Sequence, residues 1–233
     1  MEWPDFSFRD KELIKLVWKQ VEGDKVGLGV AIYQMIFDQC PEAKLLFPFL
    51  KYNSDGSEVI NNEFSFQALR FVQVLESGVH NLDQLEAMDN ILNNLGRRHG
   101  RLKAAVGFKQ CYWVVFRECA LYQIRKYLEV PQKKHSIWTP EKVDEALILW
   151  RFLLHTIIER IEIGYEQDLK NRSYSIDERG EDFFPRKLPS KSTSIESGGS
   201  GSRKTSNQSR REDLSEALGY LNPFKKRGSS GSD

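Results

Sequence analysis

Apolar residues in the first part of the chain recur at spacings of three and four, the period of a helix that buries one face. In the first such run, Leu13, Leu16 and Val17 share one face, and no stretch of the chain alternates convincingly with the two-residue period of a strand. Ser7 stands before this run with Asp10 three residues later, a pair typical of a helix N-terminus. The pattern therefore predicts an all-α domain.

The same periodicity predicts the other helices and the breaks between them. They are expected over 26–40, as a short turn at 41–47, over 64–79, from about 83 to 99, over 108–127 and from 140 into the 160s. Asp83 with Glu86 suggests a capped start for the fourth, and Gly100 with Gly107 brackets a break. Thr139 followed by Pro140 is typical of a helix start.

Composition changes near residue 169 and divides the chain into two parts. Residues 1–169 carry a net charge of −3 and residues 170–233 carry +4, which together give the chain its +1. Ser, Gly, Lys and Arg dominate the second part, so we expect a disordered tail. A capping pattern predicts one short helix there, at 210–222. That helix would suit a protein partner or the helical domain itself, and a solvated linker without a function is the alternative.

The charge balance and the cysteines argue against several classes of protein. A net charge of +1 gives no overall attraction to nucleic acid. The longest apolar stretch, 147–158, is too short to span a bilayer. Three widely spaced cysteines argue against a disulfide framework and a zinc site, and they are expected to be buried thiols. Together with an acidic N-terminus, these features predict a cytoplasmic protein.

Candidate chemistry begins with a histidine on an apolar helix face. His99 shares its face with Leu92 and Leu95, and a histidine so placed is more often a core residue than a metal ligand. Upstream, Phe47 follows Pro41 by six residues. Tyr33 precedes that proline by eight residues, and Gln67 is expected on the buried side of its helix.

Together these elements resemble the globin family over about residues 7–168. The resemblance includes the segment from Leu95 to His99 and the segment from Glu162 to Tyr165. It implies a globin fold and a haem b cofactor with its iron. It also implies close packing of the second and distal helices at Gly29 and Ala68.

The resemblance also implies a role for each candidate site residue. His99 corresponds to the proximal haem ligand, and Tyr33 with Gln67 to the distal pair that faces a bound gas. The implied contacts with the porphyrin and its propionates come from Phe47, Phe71, Leu95 and Arg70. The Tyr and Gln pair resembles that of nematode globins that bind oxygen tightly.

Tyr33 and Gln67 offer hydrogen-bond donors that are not acidic at neutral pH. Such donors favour retention of dioxygen, which predicts oxygen storage, scavenging or sensing. The alternative from another class is a haem redox enzyme, such as a nitric oxide dioxygenase or a weak peroxidase. If the resemblance misleads, Tyr33 is a core tyrosine bonded to a backbone carbonyl and Gln67 is a partly exposed residue.

Overall fold

The protein is described here by a computed structural model that covers residues 2–47, 50–54, 56, 58–129 and 137–177. Six α-helices are present in this part of the chain. They are α1 (Phe8–Val21), α2 (Lys25–Gln39), α3 (Asn62–His80), α4 (Asp89–Val106), α5 (Tyr112–Glu129) and α6 (Pro140–Asp177). Three 3-10 turns cover Glu22–Asp24, Pro41–Leu46 and Leu85–Met88. The all-α prediction is confirmed.

A two-stranded ribbon is the only sheet in the described residues. Its strands, β1 (Lys51–Tyr52) and β2 (Glu58–Val59), pair antiparallel before α3. Each strand is two residues long, too short for an alternating pattern to show in the sequence.

Two predicted helix starts are confirmed by their caps. The backbone N–H of Asp10 donates to Ser7 Oγ at 3.2 Å, and the N–H of Ser7 donates to the Asp10 carboxylate at 3.0 Å. Pro140 is the first residue of α6, and the N–H of Lys142 donates to Thr139 Oγ1 at 3.3 Å. Both caps satisfy N–H groups that the helix itself leaves without partners.

The predicted start of α4 is wrong. A 3-10 turn precedes the helix, and no side chain caps its N-terminus at Met88. The carboxylate of Asp83 instead accepts a hydrogen bond from Lys11 Nζ at 2.8 Å. The Asp83 side chain, which local spacing assigned to a helix cap, therefore forms a long-range ion pair instead.

The predicted break at Gly100 is also wrong, because α4 continues to Val106. A Cβ on Gly100 would lie 2.7 Å from the Asp168 carboxylate on α6, so this glycine allows close packing. Gly107 does end the helix, with φ of 78°, and its N–H donates to the carbonyl of Lys103. Glycine adopts this left-handed conformation without steric cost.

The expected boundary at residue 169 falls inside a helix, since α6 runs to Asp177. The helix gains Arg172, whose Nε donates to the Asp168 carboxylate at 2.6 Å one turn earlier. The remainder of the expected tail, with the helix predicted at 210–222, lies outside the described residues. No helix in the described part of the chain is long and apolar enough to cross a membrane.

Glycines set the two closest helix contacts near the centre of the fold. A Cβ on Gly96 of α4 would overlap the backbone carbonyl of Ile161 on α6, and one on Gly164 would overlap that of Asn93. A Cβ on Gly29 of α2 would lie 2.6 Å from the carbonyl of Ala68 on α3. The close crossing implied for Gly29 is confirmed. These contacts hold α2, α3, α4 and α6 around one cavity.

Candidate functional site

One cavity of about 320 Å³ lies among α2, α3, α4, α5 and α6. Its wall is mainly aliphatic and aromatic, with a few polar side chains, as is typical of a small-molecule site. The structure brings all the predicted site residues to this wall. They are Tyr33, Phe47, Gln67, Arg70, Phe71, Leu95 and His99.

His99 reaches the cavity from α4 with its ring orientation fixed by its own helix. Its Nδ1 lies 2.9 Å from the carbonyl oxygen of Leu95, one turn earlier. A carbonyl only accepts, so Nδ1 carries the proton and Nε2 keeps a lone pair. Burial lowers the pKa of His99 to about 4, although the bond to Leu95 opposes this effect and the charge of Arg98 adds to it. The imidazole is therefore neutral at neutral pH.

Two aromatic rings pack against His99 and complete its surroundings. The Trp113 ring centroid lies 4.7 Å from that of the imidazole, and the Phe108 centroid lies 5.1 Å from it. Phe108 in turn packs against Tyr165 of α6 at 6.0 Å. The sequence did not assign Trp113 or Phe108 to the site, because their contact with His99 depends on how α5 turns back after Gly107.

Tyr33 enters the cavity from α2 within a group of aromatic side chains. Its ring lies 5.2 Å from that of Phe47, 6.0 Å from Phe64 and 6.2 Å from Phe71, measured between centroids. Burial raises the pKa of Tyr33 to about 12, while a hydrogen bond with Gln67 and the charge of Arg70 oppose the rise. The phenol therefore keeps its proton at any physiological pH.

A hydrogen bond joins the side chains of Tyr33 and Gln67, and it opposes the rise in the pKa of the phenol. Both side chains carry donor and acceptor atoms. Either can therefore offer a hydrogen to a further acceptor in the cavity.

Two arginines add positive charge to the cavity wall. Arg70 of α3 has its guanidinium 4.8 Å from the ring centroid of Phe66. Burial lowers the pKa of Arg70, whereas the ionised form of Tyr33 would raise it. Burial also lowers the pKa of Arg98 on α4, with a further contribution from the charges of Arg101 and Arg70. The sequence prediction included Arg70 and missed Arg98, which directly precedes His99.

His80 and His155, the other histidines that the structure describes, do not line the cavity. His80 is exposed at the end of α3, and His155 is exposed on α6, where its Nε2 lies 3.4 Å from Glu159. His135 lies outside the described residues. Within the described ranges, no group of three or more histidine, cysteine or acidic side chains is placed to hold a metal ion. His99 is thus a single nitrogen donor, suited to a metal that arrives with other ligands.

Comparison with known proteins agrees with this arrangement. A model of the Globin family matches residues 30–140, a range that includes Tyr33, Gln67 and His99. Neuroglobin from Tetraodon nigroviridis is 30% identical over 120 residues, covering 51% of this chain and 73% of the neuroglobin. Globin-related protein glb-13 from Caenorhabditis elegans is 26% identical over 176 residues, covering 74% of this chain and 57% of that protein.

A solved structure shares the fold. The crystal structure of a hexacoordinated heme protein from an anhydrobiotic tardigrade superimposes with a TM-score of 0.57 at 21% identity, covering 70% of this chain and 96% of that one. The likeness to the nematode protein is consistent with the resemblance to nematode globins. From its sequence relatives, its fold and its central cavity, this chain belongs to the globin family.

Proposed function

We propose that this chain holds haem b in the central cavity and binds dioxygen reversibly there. The observation that carries the proposal is one cavity that combines a neutral imidazole with a free Nε2 and a protonated tyrosine. The first group can hold an iron, and the second can donate a hydrogen bond to a gas.

The residues on the wall fit a haem. The aromatic and aliphatic lining, with Phe47 and Leu95, suits the faces of an apolar macrocycle. Arg70 and Arg98 supply positive charge for the two propionate carboxylates. His99 would supply the nitrogen ligand that the haem iron takes from the protein.

Haem, when bound, supplies an iron ion that takes diatomic gases as ligands. His99 would hold that iron through Nε2, because Nδ1 donates to the carbonyl of Leu95. A hydrogen bond of this kind keeps the ring in one orientation and makes Nε2 a better electron donor. Trp113 and Phe108 exclude water from the same ring.

Tyr33 would determine how long dioxygen stays. The Tyr33 hydroxyl would donate a hydrogen bond to dioxygen held in the cavity, whereas carbon monoxide is a weak acceptor. One such bond in a dry cavity contributes about 1–2 kcal/mol. Gln67 would support this role through its hydrogen bond with the phenol. Slow release suits oxygen storage, scavenging or sensing better than bulk delivery.

The proposal is tested by absorption spectra of the purified full chain, first ferric and then reduced. We expect haem spectra from the native chain and loss of stable haem from His99→Ala, with partial recovery when imidazole is added. His155→Ala is the matched control and should keep the native spectrum, since His155 is exposed and distant from the cavity wall. Normal haem spectra from His99→Ala would overturn the assignment of the ligand.

The reduced, gas-free protein gives a second measurement. Among the described residues that line the cavity, His99 is the only histidine, so the reduced spectrum should be high spin and five-coordinate. A low-spin, six-coordinate spectrum would contradict this reading of the Tyr33 and Gln67 side. An oxygen complex that persists for minutes supports binding, whereas rapid conversion of nitric oxide to nitrate would identify an enzyme.

A further inference from the structure

The three cysteines do not form the buried set that the sequence suggested. Cys119 of α5 is buried, Cys40 at the end of α2 is half-buried, and Cys111 just before α5 is exposed. The sequence could not separate them, because burial here depends on which sides of α2 and α5 face each other. Two of the three thiols are thus at or near the surface.

Contacts between α2 and α5 show that the two segments run antiparallel side by side. Gln123 Nε2 donates to the carbonyl of Ala31 at 3.4 Å. Toward the other end, Lys109 Nζ forms an ion pair with Glu42 Oε1 at 3.1 Å. Residues later in the first segment therefore lie beside residues earlier in the second.

The ion pair between Glu42 and Lys109 brings Cys40 and Cys111 into the same region of the surface. Cys40 lies two residues before Glu42, and Cys111 lies two residues after Lys109. The ion pair therefore holds together the two stretches of chain that carry these cysteines.

The electrostatics of the same region agree with this placement. Burial raises the pKa of Cys40, and the charges of Glu42 and Cys111 raise it further, while Lys109 lowers it. Tyr112 lies close to both thiols. Burial raises its pKa first, and the charges of Cys111 and Cys40 contribute to the same rise. The two thiols thus lie within range of each other's charge.

We propose that Cys40 and Cys111 form a reversible disulfide that joins the end of α2 to the start of α5. The oxidant is a small disulfide such as oxidised glutathione. The exposed Cys111 thiolate attacks it, one sulfur–sulfur bond is exchanged for another, and one glutathione leaves as a thiolate. The Cys40 thiolate then attacks the Cys111 sulfur and releases the second glutathione.

This thiol–disulfide exchange needs no reactant other than oxidised glutathione. Two protein thiols lose two electrons and two protons, and one glutathione disulfide becomes two glutathione thiols. Cys119 takes no part, because burial raises its pKa to about 11 and hides it from the oxidant, with smaller contributions from Cys40, Glu118 and Asp38. The proposal is independent of the gas that the cavity binds.

The position of the bond gives it a consequence for the cavity. Cys40 directly precedes the Pro41–Leu46 turn, which leads into Phe47, and Cys111 lies two residues before Trp113. Phe47 and Trp113 both line the cavity. A disulfide between Cys40 and Cys111 would therefore connect two parts of the cavity wall. Formation or reduction of this disulfide would then change how the wall moves.

The test treats the native full chain with oxidised glutathione at mildly alkaline pH and maps disulfides by peptide mass spectrometry without reduction. We expect a Cys40–Cys111 cross-link, a fall from three titratable thiols to one, and full reversal by a reductant. Cys40→Ser should trap one glutathione on Cys111, because the second attack is lost. Cys111→Ser should stay unmodified.

Cys119→Ser is the control and should form the same cross-link as the native chain. Disulfide mapping of the native chain still tests the proposal even if a variant folds poorly. A cross-link between Cys40 and Cys119, dimers joined through Cys111, or lasting attachment of glutathione to the native chain would each overturn the proposal.

Discussion

The two sides of the cavity are built differently. On the His99 side, α4 touches α6 through main chain, with Gly96 against the carbonyl of Ile161 and Gly164 against that of Asn93. On the Tyr33 side, α2 also meets α3 through main chain at Gly29, but Tyr33 itself is held by side chains, with the α3 rings of Phe64 and Phe71 packed edge to face around it. Main-chain contacts tolerate no added atom, whereas packed rings tolerate exchange for similar shapes.

In the proposed function, this difference separates the position of His99 from the tuning of the gas by Tyr33. A change to Tyr33 can remove a single donor and leave the helices in place. A change at Gly96 or Gly164 moves α4 against α6, and the imidazole moves with α4. The position of His99 can therefore be altered through these glycines only together with stability.

The largest effect is expected from Gly96→Ala. The new methyl group would overlap the carbonyl of Ile161, which cannot move without shifting α6. Overpacking of this kind costs about 3 kcal/mol of unfolding free energy, measured by urea denaturation. Gly23→Ala is the matched control, since nothing lies within 4 Å of its Cβ position, and it should be neutral or slightly stabilising. Equal losses in both variants would show that α4 and α6 are not closely packed.

A smaller effect is expected from Tyr33→Phe, which removes one hydroxyl at nearly constant volume. Loss of its hydrogen bond should speed dioxygen release about tenfold, equivalent to about 1.4 kcal/mol, in flash-photolysis or stopped-flow experiments. Carbon monoxide release should change far less. The control, Tyr122→Phe on the exposed face of α5, should leave both rates unchanged. Equal changes for both gases would mean that Tyr33 controls access instead.

The smallest effect is expected from Gln67→Leu. Its side chain forms a hydrogen bond with the Tyr33 phenol, so its loss should act on dioxygen through the orientation of Tyr33. We expect release to speed up by less than in Tyr33→Phe, and the double variant to differ little from Tyr33→Phe alone. Gln73→Leu, on the same helix but away from the cavity wall, serves as control. Fully additive effects would show that Gln67 binds the gas independently.

The sequence predicted much of this fold because local rules determine where helices begin. Ser7 and Pro140 are correctly identified since capping depends only on neighbouring residues. The predicted cap at Asp83 is wrong because the partner of this side chain, Lys11, is distant in sequence. The predicted break at Gly100 is wrong because a glycine can end a helix in one context and allow close helix packing in another.

The sequence identified some residues of the cavity wall and missed others, for related reasons. Tyr33, Gln67 and His99 were found because family resemblance ties residue types to register positions, and the structure places all three on one cavity wall. Arg98 and Trp113 were missed since their approach to the cavity depends on how α4 and α5 are rotated. Helix rotation is a property of packing, which a single sequence does not display.

The bond from His99 Nδ1 to the carbonyl of Leu95 has a mechanical consequence. That carbonyl also accepts the backbone N–H of His99 in the helix, so the imidazole plane is coupled to the axis of α4. At Gly96, α4 in turn packs directly against the main chain of α6, so the two helices would move together. A rotation of α6 would therefore be transmitted through α4 to the His99 imidazole, the group that we propose as the iron ligand.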